Sequence, residues 1–243
     1  MRILFLSSYA HLVLEKSATR VSGGAELQVA LLARELAGRG IEAVILGGDT
    51  GQVDGAVIDG VRIRTGGKFH SGNPLEMLVA MPRVFSVIRE ERPDWVFLLG
   101  WTAWMALVVA MRGLLGYRAG FICGSDSELT GDFRRENPVR GGLFEWGVAK
   151  CDLRFAMTEY QRALFAKRGW SCGMYRNLIL PRAFPNAGVK EVDFLWVSRC
   201  QRVKRPHLFL DLVEKLPEHS FEMICPRENV GLWEGVAARA AGL

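Results

Sequence analysis

Hydrophobic and polar positions along the chain follow two alternating rhythms. Short apolar runs bounded by turn residues read as buried strands at Arg2 to Ser7, Ile41 to Leu46, Trp95 to Leu99, Arg118 to Cys123 and Leu153 to Ala156. Stretches of helical period lie between them. From Gly24 to Ala37, Leu27, Ala30, Leu31 and Leu36 recur at helical spacing and Val29, Leu32 and Ala33 widen the stripe, while Gln28, Arg34, Glu35 and Arg39 take the other side. Gly38 and Gly40 supply the stop. Further helices are predicted from Leu75 to Glu91, with a kink or restart at Pro82, from about Thr102 to Leu115, and from Leu143 to Lys150. Another begins at Thr158, which caps it in a capping box with Gln161 and runs to near Arg168. Val57 to Arg64 reads as one loosely alternating edge strand, and Cys172 to Tyr175 as a short strand. Strand, glycine turn, helix and strand open a doubly wound α/β domain.

Residues 177–190 break this rhythm with Pro181, Pro185, Asn186 and Gly188, and read as a linker after a first Rossmann-like domain, 1–176. The rhythm then restarts over 191–243. Val192 to Val197 reads as a buried strand, Pro206 to Leu216 as a helix, Phe221 to Cys225 as a strand and Leu232 to Ala241 as a helix. Four elements do not complete a doubly wound domain, so 191–243 reads as the start of a second, truncated Rossmann-like domain. A stable first domain and a labile tail are expected, with Leu232, Trp233 and Val236 incompletely covered.

Composition narrows the classes. Hydrophobic residues make up 49% of the 243 and charged residues 23%, which calls for a packed core and excludes disorder. The net charge of +5 permits contact with anionic substrates or an anionic membrane surface, and is too weak to argue for nucleic acid. Five cysteines are scattered singly without C-x-x-C, which fits a reducing cytoplasmic compartment, and the four histidines show no metal-ligand spacing. Trp95 to Met111 approaches the length of a membrane span, but Gly100 and Thr102 split it into a strand and a helix.

Two clusters carry candidate chemistry. Gly23 and Gly24 precede the first long helix. Either they make a tight turn, or they let a phosphate or sugar approach the helix start, where unpaired N–H groups and the positive dipole end meet an anion. G-x-G-x-x-G and G-x-x-x-x-G-K-[ST] are both absent, which removes the usual dinucleotide and P-loop readings. In the loop Tyr9 to Ser22, His11, Lys16 and Arg20 could face a ligand or simply be solvated. After the strand at Val197, Arg199, Arg202, Lys204 and Arg205 place four cations beside a helix N-terminus, where each is unfavourable by roughly 0.3–1 kcal/mol when exposed. A bound diphosphate would relieve that conflict; the bland reading is a solvated basic loop. Asp126-Ser127-Glu128 has the form of a D-x-D metal motif, but a cap for the coming helix is the favoured reading, so no metal site is assigned.

Gly23-Gly24-Ala25-Glu26, Thr158-Glu159-Tyr160-Gln161, and Trp196-Val197-Ser198-Arg199 followed by Lys204-Arg205-Pro206 together resemble family-4 glycosyltransferases of the GT-B fold. The resemblance implies metal-independent sugar transfer from a nucleotide-diphosphate donor, usually with retention, to an unassigned acceptor, without a cofactor. Carried over by position, Arg199 and Lys204 would neutralise the donor diphosphate, while Gly23, Gly24, Glu26 and Ser198 would contact donor or acceptor. Ser198 stands where the family usually has glycine, no histidine follows the strand ending at Leu99, and the family's E-x7-E segment is not reached before Leu243. The last departure leads to the expectation that this chain does not turn over donor unaided. A non-catalytic sugar- or nucleotide-binding remnant is the alternative, and a membrane-docked protein built on Trp95 to Met111 a further rival.

Overall fold

An eight-stranded sheet carries the first of two units, Met1–Ile179 and Leu180–Leu243, into which the chain divides. The computed structural model describes residues 1–15, 23–68, 74–179, 192–227 and 229–243. Lys16, Arg20, His70 and most of the expected linker lie outside them.

In chain order the first unit contains β1 (Arg2–Leu6), α1 (Ala10–Leu14), α2 (Gly24–Gly38), β2 (Glu42–Gly47), β3 (Val57–Ile58), β4 (Val61–Thr65), α3 (Pro74–Glu91), β5 (Trp95–Leu99) and α4 (Trp104–Leu115). It continues with β6 (Arg118–Ile122), α5 (Ser127–Thr130), α6 (Asp132–Glu136), α7 (Pro138–Lys150), β7 (Leu153–Ala156), α8 (Glu159–Lys167) and β8 (Gly173–Met174). The strand order is β3-β4-β2-β1-β5-β6-β7-β8, and every pairing is parallel except β3 with β4. The chain builds outward from β1 in one direction, then returns beside β1 as β5 and builds outward in the other. Strand order therefore reverses between β1 and β5.

Alternation along the buried strands sorts side chains to the two faces. Leu4, Leu6, Val44, Leu46, Val96 and Leu98 join Val84 and Ile88 of α3, Met105 and Val108 of α4, and Phe144 and Val148 of α7 in one core. Ile3, Phe5, Ala43, Ile45 and Phe97 join Val29, Ala30 and Ala33 of α2 and Ala10 and Leu14 of α1 in the other. Helices cover both faces, as the buried parallel strands need.

Several expectations are corrected. In α2 the stripe of Val29, Ala30, Leu31 and Ala33 is buried as expected, but two neighbours exchange places: Leu27 is 41% exposed and Gln28 only 9%. Gln28 can be buried because its amide makes three hydrogen bonds. Its Nε2 donates to the Leu178 carbonyl at 3.0 Å, and its Oε1 accepts from Leu178 N–H at 2.7 Å and Tyr175 O–H at 3.1 Å. Val57 to Arg64 is a hairpin of β3 and β4 rather than one strand, turned by Asp59 at φ 50° and Gly60 at φ 79°. The loop expected after β1 contains α1. The helix expected from Leu143 starts earlier, with Pro138 at its first turn. α3 runs through Pro82 without a restart. Thr158 caps α8 by accepting from Gln161 N–H at 3.1 Å, while Gln161 reaches back to Met157 N–H at 2.8 Å, one residue before the cap. Trp95 to Met111 divides into β5 and α4, and among the described residues no helix is long and apolar enough to cross a membrane.

The second unit pairs β9 (Phe194–Val197) with β10 (Phe221–Ile224) in parallel. A 3-10 turn at Arg202–Lys204 leads to α9 (Pro206–Lys215), and α10 (Val230–Ala240) follows β10. The expected buried strand at Val192 to Val197 is half open: Leu195 and Val197 point away from the small core and are 56% and 63% exposed. That core gathers Cys200, Leu210 and Val236, with Leu232 and Trp233 partly buried against them.

Candidate functional site

Where strand order reverses, the ends of β1 and β5 splay and leave a crevice. Leu6, Ser7, Ser8 and Tyr9 after β1, Leu99, Trp101 and Thr102 after β5, Trp104 of α4, and Ala25, Glu26 and Val29 of α2 line a cavity of about 160 Å³ there. Gly23 is the N-cap of α2, with φ −85° and ψ 175°, an extended conformation open to any residue. A Cβ on Gly24 would meet nothing within 4 Å. Neither glycine is therefore demanded by local backbone strain or, at Gly24, by crowding. Glu26 is the one acidic residue in the first turn of α2, a position favoured by the positive helix end.

Of these lining residues, Ser7, Ser8, Tyr9, Trp101 and Thr102 were not singled out in the sequence. Their signal is positional: they follow the two strands that flank the reversal. His11, read as facing a ligand or solvent, does neither. It is fully buried against Gly47, with Nε2 2.8 Å from Thr50 Oγ1.

Trp101 forms one wall. Its ring packs on Phe133 at 4.7 Å between centroids, and its Nε1–H has no acceptor among the described residues. Its backbone N–H donates to Glu128 Oε1 at 2.9 Å, and Gly124 N–H donates to Glu128 Oε2 at 2.9 Å. The Cys123 thiol donates to the Ser125 carbonyl at 3.3 Å, next to this carboxylate. Burial nevertheless pushes the Glu128 carboxyl up to about 7, because removing the charge from water outweighs those donors. The helix-cap reading of Asp126 is corrected: its side chain makes no cap bond to α5 and instead accepts from Gln161 Nε2 at 3.0 Å.

In the second unit, Ser198 N–H donates to the Ile224 carbonyl at 3.2 Å, holding the end of β9 beside β10. Cys200 is buried and anchors the turn that follows. Lys204 N–H donates to the Gln201 carbonyl at 2.9 Å, and Arg205 sits at φ 51° as the N-cap of α9. Pro206 at the first turn is buried, which fixes the helix start. Arg202, Lys204 and Arg205 are exposed, and Arg199 is half-buried. Gly23, Gly24 and Glu26 thus gather in the first unit, and Ser198, Arg199 and Lys204 in the second.

A doubly wound sheet with a cavity at its strand-order reversal, followed by a second α/β unit, defines an α/β fold of the GT-B type. Residues 22–171 match the model for Glycosyltransferase Family 4, and the chain belongs to that family of sugar-transferring enzymes. No curated protein matches the chain. Solved structures with this fold include a Staphylococcus aureus MnaA–UDP complex (14% identity, 99% of this chain, 66% of that one, TM-score 0.62). A lipopolysaccharide outer core galactosyltransferase, WaaB, aligns at 15% identity over 100% of this chain and 65% of that one, with a TM-score of 0.55. A trehalose-6-phosphate synthase studied for glycosyl transfer with retention aligns at 14% identity over 100% and 68%, with a TM-score of 0.55. The chain spans about two thirds of the length of these structures.

Proposed function

We propose that the protein is a retaining, metal-independent glycosyltransferase that moves a sugar from a nucleotide-diphosphate donor to a glycan, lipid or small-molecule acceptor. The first unit serves the acceptor side and the second begins the donor side. The observation that carries this reading is the start of α2 in a family-4 chain, where Ala25 and Glu26 line the cavity and Gly24 leaves open space beside it. Ligand oxygens can reach the N–H groups of that helix start directly.

On the donor side, Arg199 and Lys204 supply positive charge to the diphosphate. When the bond between the anomeric carbon and the diphosphate oxygen breaks, its electron pair leaves on the diphosphate, and these cations stabilise the developing charge. The acceptor hydroxyl oxygen forms the new bond on the same face of the sugar, and its proton passes to the departing diphosphate oxygen. The likeness to solved structures with UDP bound supports a nucleotide donor, and the basic turn supports a diphosphate within it.

The test measures binding and transfer with a panel of UDP-, GDP- and ADP-sugars. Arg199→Ala and Lys204→Ala should each weaken donor binding or transfer about tenfold or more, since a charge-assisted hydrogen bond contributes about 1.5–3 kcal/mol. Gly24→Val should lower activity while the fold persists. Transfer should also survive a chelator. Unchanged kinetics in both charge variants would remove the diphosphate role, and loss of transfer on chelation, restored by manganese or magnesium, would revive a metal at Asp126 and Glu128.

A further inference from the structure

We propose that Glu128 is a positioning residue that sets the Trp101 wall of the switch-point cavity by clasping the loops after β5 and β6. Calling this cavity the acceptor side rests on the function proposed above; the clasp itself rests on geometry. Glu128 Oε1 takes the Trp101 N–H, and Glu128 Oε2 takes the Gly124 N–H, each at 2.9 Å. One buried side chain thereby bridges two loops that share no strand.

The backbone is shaped to admit this bridge. Gly100 lies at φ 74°, and a Cβ there would come within 3.5 Å of Glu128 Oε1. A Cβ on Gly124 would lie 3.0 Å from Gly100 Cα and 3.4 Å from the same oxygen. Two glycines from adjacent loops thus approach each other with the carboxylate seated against both. Gly100 N–H also donates to the Ile122 carbonyl at 2.9 Å, which holds the loops at the same level. Asp126 extends the connection by accepting from Gln161, whose own side-chain oxygen takes the Met157 N–H at the end of β7. The Asp126-Ser127-Glu128 triplet therefore ties together the loops that follow β5, β6 and β7. Both Glu128 oxygens and Asp126 Oδ1 are spent on protein donors.

The clasp acts through Trp101. Without the Glu128 carboxylate, the Trp101 and Gly124 N–H groups of these part-buried bonds lose the acceptor that holds the two loops together, and each loop moves to satisfy them with other partners or water. Thr102 and Trp104 follow Trp101 directly, so the same movement displaces further lining.

Amide hydrogen exchange on the whole chain at pH 7 tests this for Glu128→Ala, Glu128→Gln and the wild type. In Glu128→Ala, exchange over 99–104 and 124–131 should accelerate at least about tenfold while β1 and α2 exchange as in the wild type. Glu128→Gln keeps one acceptor oxygen and should fall between the two. Wild-type exchange in Glu128→Ala, or uniform acceleration across the first unit, would overturn the clasp. For the positioning role, steady-state transfer in Glu128→Gln should show a raised KM for acceptor with an unchanged KM for donor. An equal effect on both would overturn that role. A wild-type protein that neither binds a nucleotide sugar nor transfers sugar would count against the proposed function and leave exchange to decide the clasp.

Discussion

Arg205 holds a left-handed backbone, φ 51°, at the start of α9, a conformation that costs a residue with a Cβ about 1–2 kcal/mol. Glycine would adopt it without strain, so Arg205→Gly should leave thermal stability unchanged or slightly raised. If the basic turn holds a diphosphate, the same change should weaken donor binding. Thermal unfolding and titration calorimetry with a UDP-sugar read the two effects separately. Glu128 gives a second prediction at this scale. The unfolded chain releases its proton near the ordinary 4.5 and the folded chain near 7. Between those values the unfolded state binds fewer protons, so stability falls as pH rises from about 4.5 to 7 and the penalty is complete above that. The shift corresponds to about 3 kcal/mol for this almost fully buried group. Urea unfolding at pH 5 and pH 8 should therefore change the stability difference between Glu128→Gln and wild type by about that amount, in favour of glutamine at pH 8.

At the scale of elements, glycines with opposite surroundings make the sharpest comparison. In β6, a Cβ on Gly120 would lie 2.1 Å from the Phe97 ring, which is held among Phe5, Trp95 and Phe155. Gly120→Ala should cost about 1–3 kcal/mol or more through overpacking, measured by urea unfolding. Gly24→Ala, in open space, should leave stability within about 1 kcal/mol of wild type by the same measurement. Elements whose burial follows from local pattern were legible in the sequence. β5 and β7 have the expected bounds, and α2 differs at one end by a residue, because continuous apolar runs and helical spacing are local signals. The Val57–Arg64 stretch misled because its alternation continues across Asp59-Gly60, although that dipeptide is itself a hairpin signal. Gln28, His11 and Asp126 were misread for another reason. Their partners, Leu178, Thr50 and Gln161, lie far away in sequence, and no periodicity encodes such a bond. The cavity shared this limit: the glycine turn and helix start beside it were readable in sequence, but the Trp101 wall depends on which strands become neighbours.

At the scale of the whole molecule, the two units are unequal. The first has cores on both faces of its sheet, whereas the core of the second gathers around Cys200, Leu210 and Val236. Small cores stabilise weakly, so urea should unfold the second unit first. Fluorescence of Trp196 and Trp233, assigned by single Trp→Phe variants, should change at lower urea than amide exchange in β1 and β5; a single coincident transition would contradict it. The short hairpin at the edge of the large sheet has a further consequence, for self-assembly. Open strand edges can recruit backbone from another molecule and seed cross-β stacking. Here β3 offers two residues, Val57 and Ile58, turned antiparallel to the sheet, and β8 at the other end also offers two, Gly173 and Met174. A foreign strand would gain only a pair or so of ladder bonds at either edge before its ordering cost outweighed them. Any fibril formed from this sheet must then begin with chains that have already lost it, so seeding should scale with the unfolded fraction rather than with the concentration of native protein.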